Sequence, residues 1–170
     1  EEAAAADDEL MEKYFEEGDL SPEDLSKALR LAIDKLDLYP ILCTNAKDDM
    51  GVARLLEFIV DNVPAPNQVS NCPKTTAGDD IKFDAAAPTL LFAFKTANEQ
   101  HLGEVTYLKV MNGEVTESLD LINANTQGKE RLSQILVCAG KNRQKVEKAV
   151  AGDIFCTIKL KDVKTNQSLA

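Results

Sequence analysis

The chain of 170 residues is short of the residue types on which most catalytic and metal sites depend. It contains no tryptophan, one histidine and four cysteines, and none of the cysteines forms a C-x-x-C pair. A zinc site needs four nitrogen or sulfur ligands, usually in close pairs, so the spacing predicts no metal site. A Ser-His-Asp or Cys-His arrangement would have to use His101, which lies in a predicted surface loop. We therefore predict that the chain contains no catalytic residues.

Long apolar runs and a phosphate-binding loop are also missing. No apolar run approaches the roughly 20 residues that cross a membrane, so we expect no membrane partner. No basic and apolar leader is present, which predicts a cytoplasmic protein with reduced cysteines. None of the eight glycines belongs to a glycine-rich loop that is followed by Lys and Ser or Thr and can cradle phosphates. We expect this chain alone to bind no nucleotide or other cofactor.

The net charge of -10 is unevenly distributed. Residues 1–37 contain 13 acids and 4 bases, whereas residues 88–170 contain 9 acids and 11 bases. This asymmetry indicates two units with different partners. The bases are densest in AGKNRQKVEKAV, a predicted loop between two strands, which contains Lys141, Arg143, Lys145 and Lys148. These four side chains either contact RNA phosphates or form an ordinary solvated loop, and the sequence favours neither; we expect no DNA partner.

The first part of the chain has helical patterning around one short apolar run. Residues 1–18 favour a helix that ends at Gly18, and Ser21 followed by Pro22 predicts the start of a second. Residues 39–43 predict a buried strand, and the apolar spacing from Val52 predicts a helix that Pro64 ends. A strand, polar loop and helix in this order are typical of the closing unit of an open α/β sheet.

The second part has the pattern of a β domain. Residues 67–87 are polar and interrupted by proline and glycine, which predicts a linker. Five segments rich in β-branched and aromatic residues follow, at 89–97, 103–112, 114–124, 131–139 and 154–160. Asn112-Gly113 predicts a tight hairpin. Strands of this number and length predict a small closed antiparallel β-barrel.

The stretch PILCTNAKDDMGVARLLEFIVDNVPAP (40–66) resembles the end of the GTP-binding domain in the elongation factor G family of translational GTPases. Matching positions there are Cys43, Ala46, Gly51-Val52, Leu55-Leu56, Val60-Asp61, Pro64 and Pro66. In the second part, the matches include Ala93-Phe94-Lys95, Gly103, Gly113, Glu130-Arg131, Arg143 and Ala151-Gly152-Asp153-Ile154. The resemblance implies an α+β multidomain fragment: residues 1–66 are the C-terminal part of a GTP-binding domain with its helical insert, 67–87 a linker, and 88–170 the β-barrel domain II.

The resemblance also implies a function and a site. Asn45, Ala46 and Lys47 correspond to the family's guanine-side loop, in which a backbone amide contacts the base, so the parent protein would bind GTP and magnesium. The barrel would contact small-subunit ribosomal RNA during translocation. A tetracycline-resistance-type ribosomal protection protein, or a paralogue without GTPase activity, remains an alternative. Asn45 in place of the family's serine, and Cys138-Ala139-Gly140 in place of its Met-His-Ala, predict a divergent paralogue.

Overall fold

A computed structural model describes residues 1–140 and 142–170, which form two compact units, Glu1–Cys72 and Pro73–Ala170. The first unit is helical. Its elements are a 3-10 turn at Ala4–Ala6, helix α1 at Asp8–Glu17, helix α2 at Pro22–Asp34, helix α3 at Val52–Asn62 and a second 3-10 turn at Pro66–Gln68. The predicted helices are thus confirmed, although the alanine run before α1 forms a separate turn.

Local capping residues set the bounds of α1 and α2. Gly18 takes a left-handed conformation (φ 77°) and its N–H donates to the Tyr14 carbonyl oxygen, which ends α1. Ser21 precedes Pro22 and accepts a hydrogen bond from the Asp24 N–H at 3.1 Å, so α2 begins with a side-chain cap and proline at its first position. Both signals act within four residues of the helix ends, which is why the sequence predicts them.

Alanines form much of the buried interior of the first unit. Ala4 of the first turn and Ala28 and Ala32 of α2 are completely buried, and Leu10 of α1 packs with Ala28. Small side chains let the 3-10 turn approach α2 closely. The Lys35 ammonium group donates to the Ala6 carbonyl oxygen at 2.6 Å and satisfies one backbone group of the turn.

The buried strand predicted at residues 39–43 is wrong. These residues form no strand, and the side chains of Tyr39 and Ile41 are 73% and 93% exposed. A strand needs a partner for its backbone groups, and the described residues of this unit offer none. The nearest pairing is an antiparallel bridge between Asn45 and Met50, which closes the loop before α3.

The second unit is an antiparallel β structure. Its strands are β1 Leu90–Glu99, β2 Gly103–Asn112, β3 Glu114–Thr116, β4 Asp120–Ile122, β5 Lys129–Arg131, β6 Ile135–Ala139, β7 Asn142–Val146, β8 Lys148–Val150, β9 Ile154–Ile158 and β10 Gln167–Leu169. Six strands form one sheet in the order β10-β1-β2-β9-β6-β7. Two further ladders pair β3 with β8 and β4 with β5.

The predicted closed barrel is not found among the described residues. In this part of the chain no ladder joins the edge strands β7 and β10 of the six-stranded sheet, and the two short ladders are separate from it. A bridge between Asn123 and Leu169 joins the end of β4 to β10. Left-handed residues, including Ser118 and Gln127 on either side of β4, interrupt the pairing and keep these strands to three residues each.

Two other β predictions are also wrong. Asn112-Gly113 forms no hairpin, because β2 pairs with β1 and β9 whereas β3 pairs with β8. The predicted basic loop between 139 and 150 instead contains strands β7 and β8.

The main core of the second unit lies between the sheet and the short ladders. It contains Leu91, Leu108, Leu132, Ile135 and Phe155, all nearly or fully buried. A smaller cluster of Val105, Leu136, Cys156 and Ile158 forms a separate apolar layer, against which Tyr107 and Cys138 pack.

Candidate functional site

The first candidate site is the loop from Asn45 to Lys47, which connects the exposed segment 39–43 to α3. The Asn45 side-chain oxygen accepts hydrogen bonds from the backbone N–H groups of Lys47 (3.2 Å) and Asp48 (3.4 Å). Its amide nitrogen donates to the Asp48 carboxylate at 2.8 Å. This Asx-turn arrangement is typical of asparagine in a loop. The Asn45 side chain therefore occupies backbone donors of its own loop.

Gly51 allows the chain to pass from this loop into α3. Its backbone is left-handed (φ 75°), and a Cβ at this position would lie 2.9 Å from the Cys43 carbonyl oxygen. Asn45, Ala46 and Lys47 are all exposed. The loop is therefore an open surface feature, with its shape held by Asn45 and Gly51.

The second candidate site is the basic cluster on β7 and β8. Of its four predicted members, Lys141 lies outside the described residues, Arg143 and Lys145 lie on β7, and Lys148 begins β8. The structure thus places the three described bases on two consecutive strands.

Arg143 is held by the carboxylate of Glu99, the last residue of β1. Both oxygens of Glu99 accept from its guanidinium group, and the side chains are only 20% and 30% exposed. The Tyr107 hydroxyl also donates to Glu99, at 3.3 Å. Contact with Glu99 raises the pKa of Arg143 above its usual value. A half-buried charged pair of this kind fixes β7 to the β1–β2 hairpin and removes Arg143 from the set of free cations.

Lys145 and Lys148 also have acidic partners, but their side chains remain accessible. Lys145 lies 2.8 Å from a Glu117 oxygen and Lys148 lies 2.9 Å from a Glu114 oxygen, while the lysine side chains are 61% and 59% exposed. Exposed pairs of this kind contribute only about 0–1 kcal/mol, so a phosphate group can replace either carboxylate at small cost. Sequence reasoning missed these pairs because the acids lie far from the lysines along the chain.

A groove of about 590 Å³ borders the Arg143 pair. It is lined by Glu99, Gln100, His101, Leu102, Tyr107, Gly140 and Arg143. His101 therefore lies in a surface turn, as predicted, and lines the same groove as Arg143. The arrangement provides one half-buried ion pair and two exposed lysines, which suits recognition of an anionic surface better than bond-breaking chemistry.

Two buried polar residues, for which the sequence predicted no structural role, hold the far side of this unit together. The Glu130 carboxylate accepts from the N–H groups of Lys161 (2.8 Å) and Asp162 (2.9 Å). The Asn123 amide donates to Asp162 and Gln167 and accepts from Asn125 and Thr126. Each serves loops that could not otherwise satisfy their backbone groups. No local pattern distinguishes them, because their partners lie up to 44 residues away.

The described residues contain no group of three or more His, Cys, Asp or Glu side chains that could hold a metal ion. Within the same part of the chain, no helix is long and apolar enough to cross a membrane.

Comparison with known proteins gives a consistent result along the chain. Residues 88–170 match the family described as elongation factor G domain 2. The chain is 35% identical over 175 aligned residues to proteins named elongation factor G from Ureaplasma urealyticum and Ureaplasma parvum. The alignments cover 99% of this chain and 25% of those proteins, so the chain spans about a quarter of the length of the curated relatives it matches.

A solved structure agrees with this comparison. A crystal structure of a protein from Thermus thermophilus superposes on 98% of this chain with a TM-score of 0.72, at 27% sequence identity, and this chain covers 23% of that protein. The similarity therefore extends over both compact units.

Proposed function

The chain belongs to the elongation factor G family, and from this premise we propose that it is a segment of a translation elongation factor whose β domain binds the small ribosomal subunit during translocation. The observation that carries the proposal is the domain 2 match over residues 88–170, within an alignment that covers 99% of the chain. Both elongation factor relatives align over this same span, which supports a shared role.

The exposed lysines of the β7–β8 region are the contacts we propose for ribosomal RNA. Lys145 and Lys148 combine high exposure with weak surface pairing, so their charge is available to phosphates. We keep Lys141 as a candidate on sequence grounds alone. We assign Arg143 a positioning role, because its pair with Glu99 holds β7 in place and breaking it would leave a half-buried carboxylate without its partner.

Charge reversal tests this assignment. The double variant Lys145→Glu/Lys148→Glu should bind purified small subunits more weakly, and the slope of log affinity against log salt should fall by about 1–2, since each phosphate contact contributes about 0.7–0.9. A matched control is Lys129→Glu/Lys161→Glu, which makes the same change in net charge on β5 and the loop that Glu130 holds. Equal effects in the two variants would reduce the lysines to a contribution of net charge alone and would remove them as contacts.

We also propose that Asn45, Ala46 and Lys47 border the guanine base of GTP in the full-length protein, which would use GTP and magnesium. In this chain the Asn45 side-chain oxygen already accepts hydrogen bonds from the N–H groups of Lys47 and Asp48. The guanine base would therefore have to compete for these two donors or use another one. The chain lacks the phosphate-binding loop, so the purified 170-residue protein should release phosphate from GTP at the blank rate. Release above the blank that depends on protein concentration would contradict this assignment.

The apolar surface before and on α3 fits the same proposal. Tyr39, Ile41 and Val60 are 73%, 93% and 75% exposed, although each is a residue type that usually lies in a core or interface. We propose that the remaining strands of a GTP-binding domain cover this surface in the full-length protein and pair with residues 39–43. Protection of the amides of residues 39–43 from hydrogen exchange should then be much higher in the full-length protein than in this chain, and equal protection would refute the pairing.

A further inference from the structure

Two of the four cysteines lie together on one face of the six-stranded sheet. Cys138 is on β6 and Cys156 is on the neighbouring strand β9, and their sulfur atoms are 3.1 Å apart. Leu136 is the residue of β6 that pairs with Cys156, so Cys138, two residues further along, is its diagonal neighbour on the same face. Formation of a disulfide requires the sulfurs to approach by about 1 Å more, since bonded sulfurs lie about 2.05 Å apart.

The two thiols differ in their access to solvent. Cys138 is partly exposed, whereas Cys156 is completely buried in the small apolar cluster with Val105, Leu136 and Ile158. Burial, together with the neighbouring Cys138 sulfur, raises the pKa of the Cys156 thiol, and Arg143 opposes this shift. An oxidant from solvent therefore meets Cys138 first, and Cys156 is positioned to react with the product.

Arg143 provides a second observation at the same place. It lies directly opposite Cys138 in the β6–β7 ladder, and its Nε is buried without a hydrogen-bond partner among the described residues. If Cys138 were oxidised to a sulfenic acid, its new oxygen atom would lie as close to the Arg143 Nε–H group as cross-strand neighbours usually lie to each other. The groove of about 590 Å³ is lined by Arg143, the cross-strand partner of Cys138, and by Tyr107, which packs against the same apolar cluster as Cys138.

We propose that Cys138 and Cys156 form an oxidation site for hydroperoxides, at which the pair closes to an inter-strand disulfide. In the first step Cys138, as its thiolate, attacks one oxygen of the peroxide and the O–O bond breaks, which gives Cys138 sulfenic acid. The departing oxygen takes up the proton that the thiol lost and leaves as an alcohol, or as water from hydrogen peroxide. In the second step the Cys156 thiol attacks the Cys138 sulfur, forms the S–S bond and releases water. Two thiols are oxidised and one peroxide is reduced, so no further reductant or oxidant is needed.

The crosslink has a structural consequence for the hairpin of β6 and β7. The ladder between β6 and β9 has one paired position, Leu136 with Cys156, whereas β6 and β7 share five. A disulfide adds a covalent tie where the sheet is least paired. The oxidised protein therefore holds the β6–β7 hairpin against β9 more firmly than the reduced protein does.

The experiment uses the full 170-residue chain with Cys43→Ser and Cys72→Ser, which leaves only the proposed pair. The protein is treated with hydrogen peroxide, its free thiols are alkylated, and it is digested with trypsin without reduction. We expect a crosslink between the peptides 132–141 and 149–159 that dithiothreitol reverses. Crosslinking should be at least about tenfold faster in the folded protein than in denaturing urea, because the fold holds the sulfurs together. The matched control adds Cys156→Ser, which should leave Cys138 oxidised and no crosslink.

Two results would overturn the proposal. One is accumulation of Cys138 sulfinic acid without the crosslink in the folded protein; the other is a crosslinking rate that urea does not lower. Hydrogen exchange gives an independent readout, in which amides of residues 135–146 should exchange more slowly in the oxidised protein. Equal exchange in the oxidised and reduced proteins would refute the tie between β6 and β9.

Discussion

Gly113 lies at the point where β2 ends and the chain leaves the six-stranded sheet for β3. Its φ is 77°, and a Cβ here would lie 2.6 Å from Thr89 Cα, 2.7 Å from Thr89 N and 2.8 Å from the Ala87 carbonyl oxygen. All three atoms are backbone, so no side-chain rotation can relieve the contact. The segment is also tied down, because the Gly113 N–H donates to the Asp84 carbonyl oxygen at 2.8 Å.

These contacts set the expected cost of Gly113→Ala. A non-glycine residue in the left-handed region costs about 1–2 kcal/mol, and forcing a methyl group into a packed site costs about 1–3 kcal/mol more. We therefore expect a loss of about 2–5 kcal/mol in the free energy of unfolding of the β domain. This is a large share of the roughly 5–15 kcal/mol that is typical of whole proteins.

Gly103→Ala is the matched control. Gly103 begins β2 with a φ of 74°, but a Cβ there would meet no atom of the described residues within 4 Å. The Gly103→Ala variant should lose only the conformational cost, about 1–2 kcal/mol, from its free energy of unfolding. Urea-induced unfolding, with hydrogen exchange of residues 90–112 to isolate the β domain, measures both variants. Losses that agree within about 0.5 kcal/mol would refute the claim that the 84–89 segment packs on Gly113.

Three further predictions follow from contacts in the two units. Glu130→Gln should lower the free energy of unfolding of the β domain by about 1–3 kcal/mol, because one of the Lys161 and Asp162 N–H groups loses its acceptor; an unchanged urea midpoint would contradict this. Asn123→Asp should destabilise the same domain by a similar amount, since the carboxylate cannot donate to Asp162 and Gln167, and the urea midpoint of Asn123→Asp would check it. Hydrogen bonds from Lys13 and Ser21 lower the pKa of Asp24. The Asp24 carboxylate therefore stabilises the helical unit above its unfolded pKa, and this stabilisation is lost as the pH falls through the lower folded pKa. Asp24→Asn should remove this part of the acid dependence of the helical circular dichroism signal, and an unaltered pH profile would refute the prediction.

The parts of the fold that the sequence predicts well depend on local interactions. Gly18 ends α1 and Ser21 begins α2 through hydrogen bonds that reach only three or four residues along the chain. The apolar spacing that predicts α3 likewise depends on no other part of the chain. The apolar run at residues 39–43 is different, because its strand would exist only if neighbouring strands supplied hydrogen-bond partners. Its sequence resembles a strand, but the described residues of this unit supply no partner for its backbone groups.

Long-range pairing explains the remaining differences. Asn112-Gly113 is a strong hairpin signal, but contacts with residues 84–89 and the pairing of β3 with β8 determine the turn. The basic cluster looks free of partners in the sequence because Glu99 is 44 residues from Arg143 and Glu114 is 34 residues from Lys148. The sequence thus predicts which residue types a candidate surface contains, but the net charge of that surface also depends on acidic residues that are distant in the sequence.

The central claim is that the β domain carries a small-subunit binding surface. The most direct measurement is the affinity of the purified 170-residue protein for isolated small and large ribosomal subunits over a range of salt concentrations. The account predicts saturable binding to the small subunit that weakens as salt rises, that Lys145→Glu/Lys148→Glu reduces, and that exceeds any binding to the large subunit. Equal affinity for both subunits, or small-subunit binding that the lysine variant leaves unchanged, would contradict it.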